Sequence, residues 1–167
     1  MGRASRQKGQ RGERKVRDKF RAIFPDAERE LNDFQGNLGT DLRNTGIFRI
    51  QVKHYRKHVS PARIYEVKCP DAFVPLLVSW PTNPGTGKPC VAISPANWVR
   101  VSVEQDVTLK TVIYRQHCSF SVLGDVNAVE GTIPGVLSAP SADGEEMLML
   151  FYLDDFIGAV DPKKVMV

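Results

Sequence analysis

An acid, a side-chain amide and a lysine lie close together in the segment Gly39 to His58. Gln51 follows Asp41 by ten positions, and Lys53 follows Gln51 by two. Side chains two apart on a β-strand point to the same face. Carboxylate and amide oxygens are hard ligands of the kind that Mg²⁺ prefers, and a nearby lysine could orient a water or neutralise charge on a phosphate. These residue types at this spacing therefore predict metal-assisted hydrolysis of a phosphodiester.

The element that must position these residues is predicted to be a β-hairpin. Asp41 and Leu42 lie on a first short strand, the turn is Asn44–Gly46, and residues 47–55 form the second strand. Asn and Gly tolerate the positive φ angles that tight hairpin turns require. The second strand has an apolar face of Phe48, Ile50 and Val52 and a polar face of Arg49, Gln51 and Lys53.

A basic amphipathic helix is predicted before the hairpin, over residues 9–24. Val16, Phe20 and Ile23 recur at spacings of four and three, which makes an apolar stripe, and a proline follows at position 25. Glu13 lies on or beside this stripe and could join the site. A glutamate near the positive end of the helix dipole is also favourable by itself, so both interpretations of Glu13 stay open.

These residues resemble the PD-(D/E)XK nuclease superfamily, whose signature is an Asp, a short spacer, and Glu-x-Lys or Gln-x-Lys at the end of a strand. The run IQVKHYRKHVS, which contains Gln51 and Lys53, is similar to the Gln-x-Lys branch of Mrr-like restriction endonucleases. KGQRGERKV, with Glu13, resembles the segment before the hairpin in these nucleases. The general layout is similar to that of archaeal and phage Holliday junction resolvases. The resemblance covers residues 9–70, with a looser similarity near 147–160.

The resemblance implies an α/β, restriction-endonuclease-like core: a helix, a mixed β-sheet of about three to five strands with a catalytic hairpin, a crossover helix, and extra β elements towards the C-terminus. It also implies that Glu13, Asp41 and Gln51 hold Mg²⁺, with Mn²⁺ as the alternative ion, while Lys53 serves the water and the scissile phosphate. Gln51 departs from the Glu that most of the superfamily carries, and it removes one negative charge from the site.

Positive charge is concentrated at the N-terminus. Residues 1–21 hold nine Lys or Arg against two acids, a net +7, so the remaining chain carries −3 of the total of +4. Such a segment is the usual electrostatic footprint of a nucleic-acid binder, although a solvated tail that aids solubility is the alternative. Residues 1–8 are predicted to be a flexible basic tail and 9–167 a single nuclease-like domain. The residues predicted to track the DNA backbone are Arg3, Arg6, Lys8, Arg11, Arg14, Arg56 and Lys57.

Composition indicates a globular cytoplasmic protein, in the host cytoplasm if the chain is phage-encoded. No apolar run approaches the roughly 20 residues that span a bilayer, so no membrane partner is expected. Three widely spaced cysteines fit reduced thiols rather than a disulfide framework or a zinc site. DNA is the expected partner, and symmetric cutting of two strands would favour a homodimer.

Downstream, a helix is predicted from Pro61 to Cys69. It contains a second Glu-x-Lys, Glu66 and Lys68, which we reject because helical residues two apart point about 200° from each other. The glycine-lysine loop at 85–88 lacks the other positions of a phosphate-binding loop. His54 and His58 are assigned to a basic cluster rather than to a metal. Residues 28–38 are predicted to form a loop, and the predicted strands are 73–80, 90–93, 98–103, 109–114, 118–122 and 147–152, followed by a short helix to 160.

Together these features predict a Mg²⁺-dependent DNA endonuclease acting on branched DNA, such as a Holliday junction. The alternative is a non-catalytic, basic DNA-binding protein with a degenerate nuclease fold, because Gln51 leaves the metal site short of one charge. Residues 101–146 hold more acids than bases and should face away from DNA.

Overall fold

A computed structural model describes residues 3–30, 39–83, 87–102 and 148–166. Over these ranges the fold is mixed α/β, as predicted, with an N-terminal helix, a four-stranded mixed sheet and several short helices. The elements in chain order are α1 (Arg3–Phe20), β1 (Glu28–Arg29), β2 (Leu42–Arg43), β3 (Phe48–Lys53), the 3₁₀ helix η1 (Pro61–Glu66), β4 (Val74–Ser79), β5 (Cys90–Ile93), α2 (Pro95–Val101), β6 (Met149–Tyr152), α3 (Leu153–Ala159) and α4 (Pro162–Val165).

Helix α1 begins at Arg3, six residues before the predicted start, so residues 3–8 are helical where a flexible tail was predicted. It ends at Phe20, earlier than predicted, and the chain turns through Ile23. Val16, Phe20 and Ile23 are all buried, which confirms the apolar stripe. This stripe packs on the apolar face of β3, where the ring of Phe20 meets that of Phe48 edge-on.

The four-stranded sheet has the order β3-β4-β5-β6. β3 and β4 are parallel, with Gln51 opposite Leu77, whereas β4–β5 and β5–β6 are antiparallel. Strands β4, β5 and β6 are almost wholly buried apolar runs, and the predictions for them are confirmed to within two residues at each end. β3 therefore lies at one edge of this sheet.

The predicted hairpin differs from the structure in its pairing. Asn44 and Gly46 adopt positive φ angles of 58° and 55°, as a tight turn requires. However, β2 forms its ladder with β1, with Arg29 opposite Leu42, rather than with β3. In the first arm of the hairpin, β2 thus belongs to a small two-stranded sheet with β1, whereas Asp41, the residue before β2, bonds to the outer edge of β3.

The parallel pair β3 and β4 needs a crossover, and η1 lies within it. The predicted helix start at Pro61 is confirmed, but the helix is 3₁₀ and ends at Glu66 rather than Cys69. Glu66 is therefore helical and Lys68 follows it, so the two side chains do not share a strand face. This supports rejection of the second Glu-x-Lys.

The predicted strand at 98–103 is wrong, because residues 95–101 form helix α2. Ser94 caps this helix by accepting a hydrogen bond from the Asn97 N–H at 3.3 Å. Trp98 and Val101, three apart, are buried, whereas Val99 is 49% exposed. Val99 and Val101, which would share a face on a strand, thus lie on different sides of a helix.

The C-terminal strand and helix are confirmed as β6 and α3, and the latter buries Phe156 among the rings of Phe20, Phe48 and Trp98. The predicted strands at 109–114 and 118–122 lie outside the described residues, as do 31–38 of the predicted loop and 85–86 of the glycine-lysine loop. The prediction of a loop is wrong for residues 28 and 29, which pair with β2 as strand β1. No helix in the described ranges is long and apolar enough to cross a lipid bilayer.

Candidate active site

Asp41 lies along the outer edge of β3, held by three short hydrogen bonds. Its N–H donates to the carbonyl of Ile50 at 2.8 Å, and its carbonyl accepts from the Glu30 N–H at 2.8 Å. Its carboxylate Oδ2 accepts from the Val52 N–H at 2.6 Å. The side chain thus takes the place of the next bond of a β-ladder, and this bond fixes the carboxylate at the backbone of Val52.

The electrostatic surroundings of Asp41 link it to two other predicted site residues. Burial raises the pKa of the Asp41 carboxyl from 3.8 to about 6, and the Val52 N–H opposes this rise. The negative charge of Glu13 raises this pKa further, whereas the positive charges of Lys53 and Arg29 lower it. Asp41 is therefore close enough to Glu13 and Lys53 for their charges to change its pKa, and its carboxylate is partly desolvated.

Gln51 carries an unpaired acceptor in the interior. The residue is only 8% exposed, and its Oε1 accepts no hydrogen bond from the described residues. A buried, unsatisfied polar atom costs roughly 1–3 kcal/mol and calls for an explanation such as an ion. Gly39 lies against the amide, because a Cβ at that position would come within 3.8 Å of Gln51 Nε2, and Gly39 adopts a positive φ of 66°.

Glu13 reaches the site because α1 approaches β3 very closely at Gly12. A Cβ on Gly12 would overlap the Cβ of His54, so only glycine fits there. The Nδ1 of His54 also lies 2.8 Å from the carbonyl oxygen of Lys8. One oxygen of Glu13, Oε2, accepts from both Nε and Nη2 of Arg29, at 2.7 and 2.6 Å. Glu13 therefore lies near the candidate site, but Arg29 holds one of its two carboxylate oxygens.

Lys53 points from the end of β3 towards η1. Its side chain is 17% exposed, and its Nζ lies 3.7 Å from Oε2 of Glu66. Arg63 donates two hydrogen bonds to the same carboxylate, at 2.7 and 3.1 Å. The hydrogen bond from Arg63, more than the charge of Lys53, lowers the pKa of Glu66.

Sequence reasoning missed Arg29 and Glu66 as members of this cluster. Nothing near Arg29 in the sequence marks it as a partner of a residue sixteen positions earlier. Glu66 stood out only through Lys68, yet the lysine that it contacts is Lys53. The one signal in the sequence for the role of Glu66 was that it follows Arg63 by one turn of a 3₁₀ helix.

The residues that could bind a metal ion at this site carry little negative charge. Within the described ranges, no three His, Cys, Asp or Glu residues come together as a metal cluster. A cation here would depend on Glu13, Asp41 and the Gln51 amide. Of the three histidines, the two within the described residues are engaged elsewhere, His54 with Lys8 and His58 with the Ser79 hydroxyl at 3.1 Å.

The predicted DNA-binding residues form two groups. The first lies on α1, where Arg6, Lys8, Arg11 and Arg14 are exposed, and the side chain of Arg3 lies outside the described part of the chain. The second, Arg56 and Lys57, is exposed in the loop that follows β3. The groups are joined near the site, because Lys8 contacts His54 and Arg56 follows two residues later.

No family model, curated protein or solved structure matches this chain. The candidate site is therefore defined by its own residues and contacts.

Proposed function

We propose that this chain is a Mg²⁺-dependent endodeoxyribonuclease with a restriction-endonuclease-like core, acting on branched DNA such as a Holliday junction. The observation that carries the proposal is the buried Oε1 of Gln51, which has no partner among the described residues and belongs to the residue before Val52, whose N–H binds the desolvated carboxylate of Asp41. A hard cation would satisfy both oxygens at once.

The residues present fit such an ion. Asp41 and Gln51 would hold it, and Glu13 would contribute Oε1, since Arg29 engages the other oxygen. A bound Mg²⁺, or Mn²⁺, would polarise the scissile phosphate and supply an activated water. The departure from Glu to Gln lowers the charge of the site and predicts weak binding of the ion.

The other side chains have separate tasks. Lys53 would orient the attacking water or neutralise charge that develops on the phosphate, and Glu66 would hold its ammonium in place from 3.7 Å. The exposed cations of α1, together with Arg56 and Lys57, would contact backbone phosphates without reading sequence. A homodimer would bring two such sites to opposite strands.

One observation favours a second candidate, a DNA-binding protein that keeps the fold without the chemistry. The guanidinium of Arg29 forms an ion pair with the carboxylate of Glu13. An active metal site would use that carboxylate as a ligand. If the ion pair persists with DNA bound, the charge of Arg29 offsets that of Glu13, and Asp41 is the one ligand whose negative charge is not already paired.

Cleavage of a labelled four-way junction and of plain duplex, with Mg²⁺ and with EDTA, distinguishes the two candidates. Lys53→Ala should abolish cleavage and leave affinity within a few-fold, because one lysine among many adds little to binding. Lys68→Ala, at an exposed lysine after η1, is the matched control and should cut normally. Normal cutting by Lys53→Ala would remove Lys53 from the site, and no cutting by the unmodified protein would favour the second candidate.

A further inference from the structure

Directly after β3 the chain forms a pocket that the proposed metal site does not use. Its volume is about 590 Å³, within the range of roughly 300–1,000 Å³ typical of ligand pockets. Among the described residues its lining contains no acid. The described lining consists of Tyr55, Arg56, Lys57, His58, Val59 and Asn83.

One wall of the pocket is aromatic. Tyr55 is 49% exposed, which is high for a large side chain of this kind. Its position is held from two sides, since its carbonyl accepts from the Thr82 N–H at 2.7 Å and its hydroxyl lies beside the Arg63 guanidinium. An aromatic ring that is both fixed and accessible is the usual stacking platform for an unpaired base.

The other wall is cationic and polar. Arg56 and Lys57 are exposed and supply positive charge for a phosphate. His58 adds little charge, because burial lowers its pKa despite the opposing carbonyl of Lys88. The amide of Asn83 carries donors and an acceptor suited to a base edge. Aromatic face, cations and amide together match the parts of a nucleotide.

The pocket is coupled to the candidate active site through a chain of polar contacts. Tyr55 lies beside Arg63, Arg63 donates to Glu66, and Glu66 contacts Lys53. Two residues of chain span at most about 7 Å, and stacked bases rise about 3.4 Å along a strand. A base on Tyr55 would therefore belong to a nucleotide near the phosphate at Lys53.

We propose that the pocket of residues 55–59 and Asn83 is a subsite for one unpaired nucleotide of branched DNA, beside the bond that is cut. This inference rests on the proposed nuclease function. It adds that the enzyme should prefer DNA with an unpaired or splayed base next to the cleavage position over continuous duplex DNA.

Fluorescence of 2-aminopurine tests the subsite without cleavage. The probe is a forked DNA with one 2-aminopurine unpaired at the branch, compared with a duplex of the same sequence, both in EDTA. The unmodified protein should quench the fork signal and bind the fork more tightly than the duplex. Tyr55→Ala should remove the quenching and weaken fork binding by about 5- to 150-fold without changing duplex binding, and Tyr55→Phe, which keeps the ring, should restore both.

Tyr65→Ala is the matched control, since Tyr65 is 45% exposed but lies outside this pocket, and it should behave like the unmodified protein. The subsite is overturned if the fork signal is not quenched, if Tyr65→Ala loses quenching equally, or if Tyr55→Ala weakens fork and duplex alike. Cleavage of the same fork with Mg²⁺ is scored separately. Quenching without cleavage retains the subsite and refutes the nuclease, whereas cleavage without quenching does the reverse.

Discussion

Replacing Asp41 by Asn should make the protein more stable at alkaline pH while it abolishes cleavage. The carboxylate is largely shielded from solvent at the edge of β3, and this desolvation raises its pKa from 3.8 to about 6. Asn retains an oxygen that can accept from the Val52 N–H, now bound at 2.6 Å, but it carries no charge to desolvate. The substitution therefore removes the free-energy cost of desolvating a carboxylate on folding, and it also removes a proposed ligand of the metal ion.

The magnitude follows from the pKa. A rise of about two units corresponds to roughly 3 kcal/mol of free energy between the protonation states. Because the folded protein binds this proton more tightly than the unfolded chain, the contribution to stability is complete below about pH 4 and is lost as pH rises through about 6. At pH 8 Asp41→Asn should therefore unfold at a higher temperature, by up to roughly 6–12 °C, and this advantage should disappear near pH 4.

Thermal unfolding by circular dichroism at pH 8, 6 and 4, each in EDTA and in Mg²⁺, measures both effects. Mg²⁺ should raise the melting temperature of the unmodified protein at pH 8, because an ion that binds the folded state stabilises it, and it should have no such effect on Asp41→Asn. Asp71→Asn, at an exposed acid before β4, is the control and should match the unmodified protein throughout.

Two results would refute this reasoning. If Asp41→Asn is no more stable than the unmodified protein at pH 8, or is equally stabilised at pH 4, the carboxylate is not desolvated at the edge of β3. If Mg²⁺ raises both melting temperatures equally, Asp41 is not a ligand.

Three further outcomes are expected. In a Mg²⁺ titration of cleavage, Gln51→Glu should keep activity and need less Mg²⁺, because it adds a negative charge, whereas Gln51→Leu should lose most activity; equal metal dependence in both would make Gln51 an ordinary side chain. Glu66→Gln should lower kcat by roughly 10- to 100-fold without weakening DNA binding in EDTA, since Lys53 loses the carboxylate 3.7 Å away; an unchanged kcat would mean that Lys53 needs no such support. Changing the three basic residues of segment 3–8 to Gln should flatten the dependence of log K on log salt by up to about three units, and an unchanged slope would show that they do not touch DNA.

Periodicity and turn chemistry in the sequence determined most of the local structure. The alternation of Phe48, Ile50 and Val52 is confirmed in β3, and the turn residues Asn44 and Gly46 have the positive φ angles expected of them. These features could be predicted because each depends on neighbouring residues alone. Helix α2 is the exception, since a short apolar run fits a strand or a helix equally well and packing decides between them.

Tertiary structure alone decided how the candidate site is assembled. The sequence placed Gln51 and Lys53 on one strand face, but it could not indicate that Asp41 would bond to the edge of β3 instead of pairing in a ladder. Nor could it indicate that Arg29 would meet Glu13, or Glu66 meet Lys53. Charge pairing and desolvation depend on distance in space, and the sixteen and thirteen positions that separate these partners along the chain carry no information about that distance until the chain has folded.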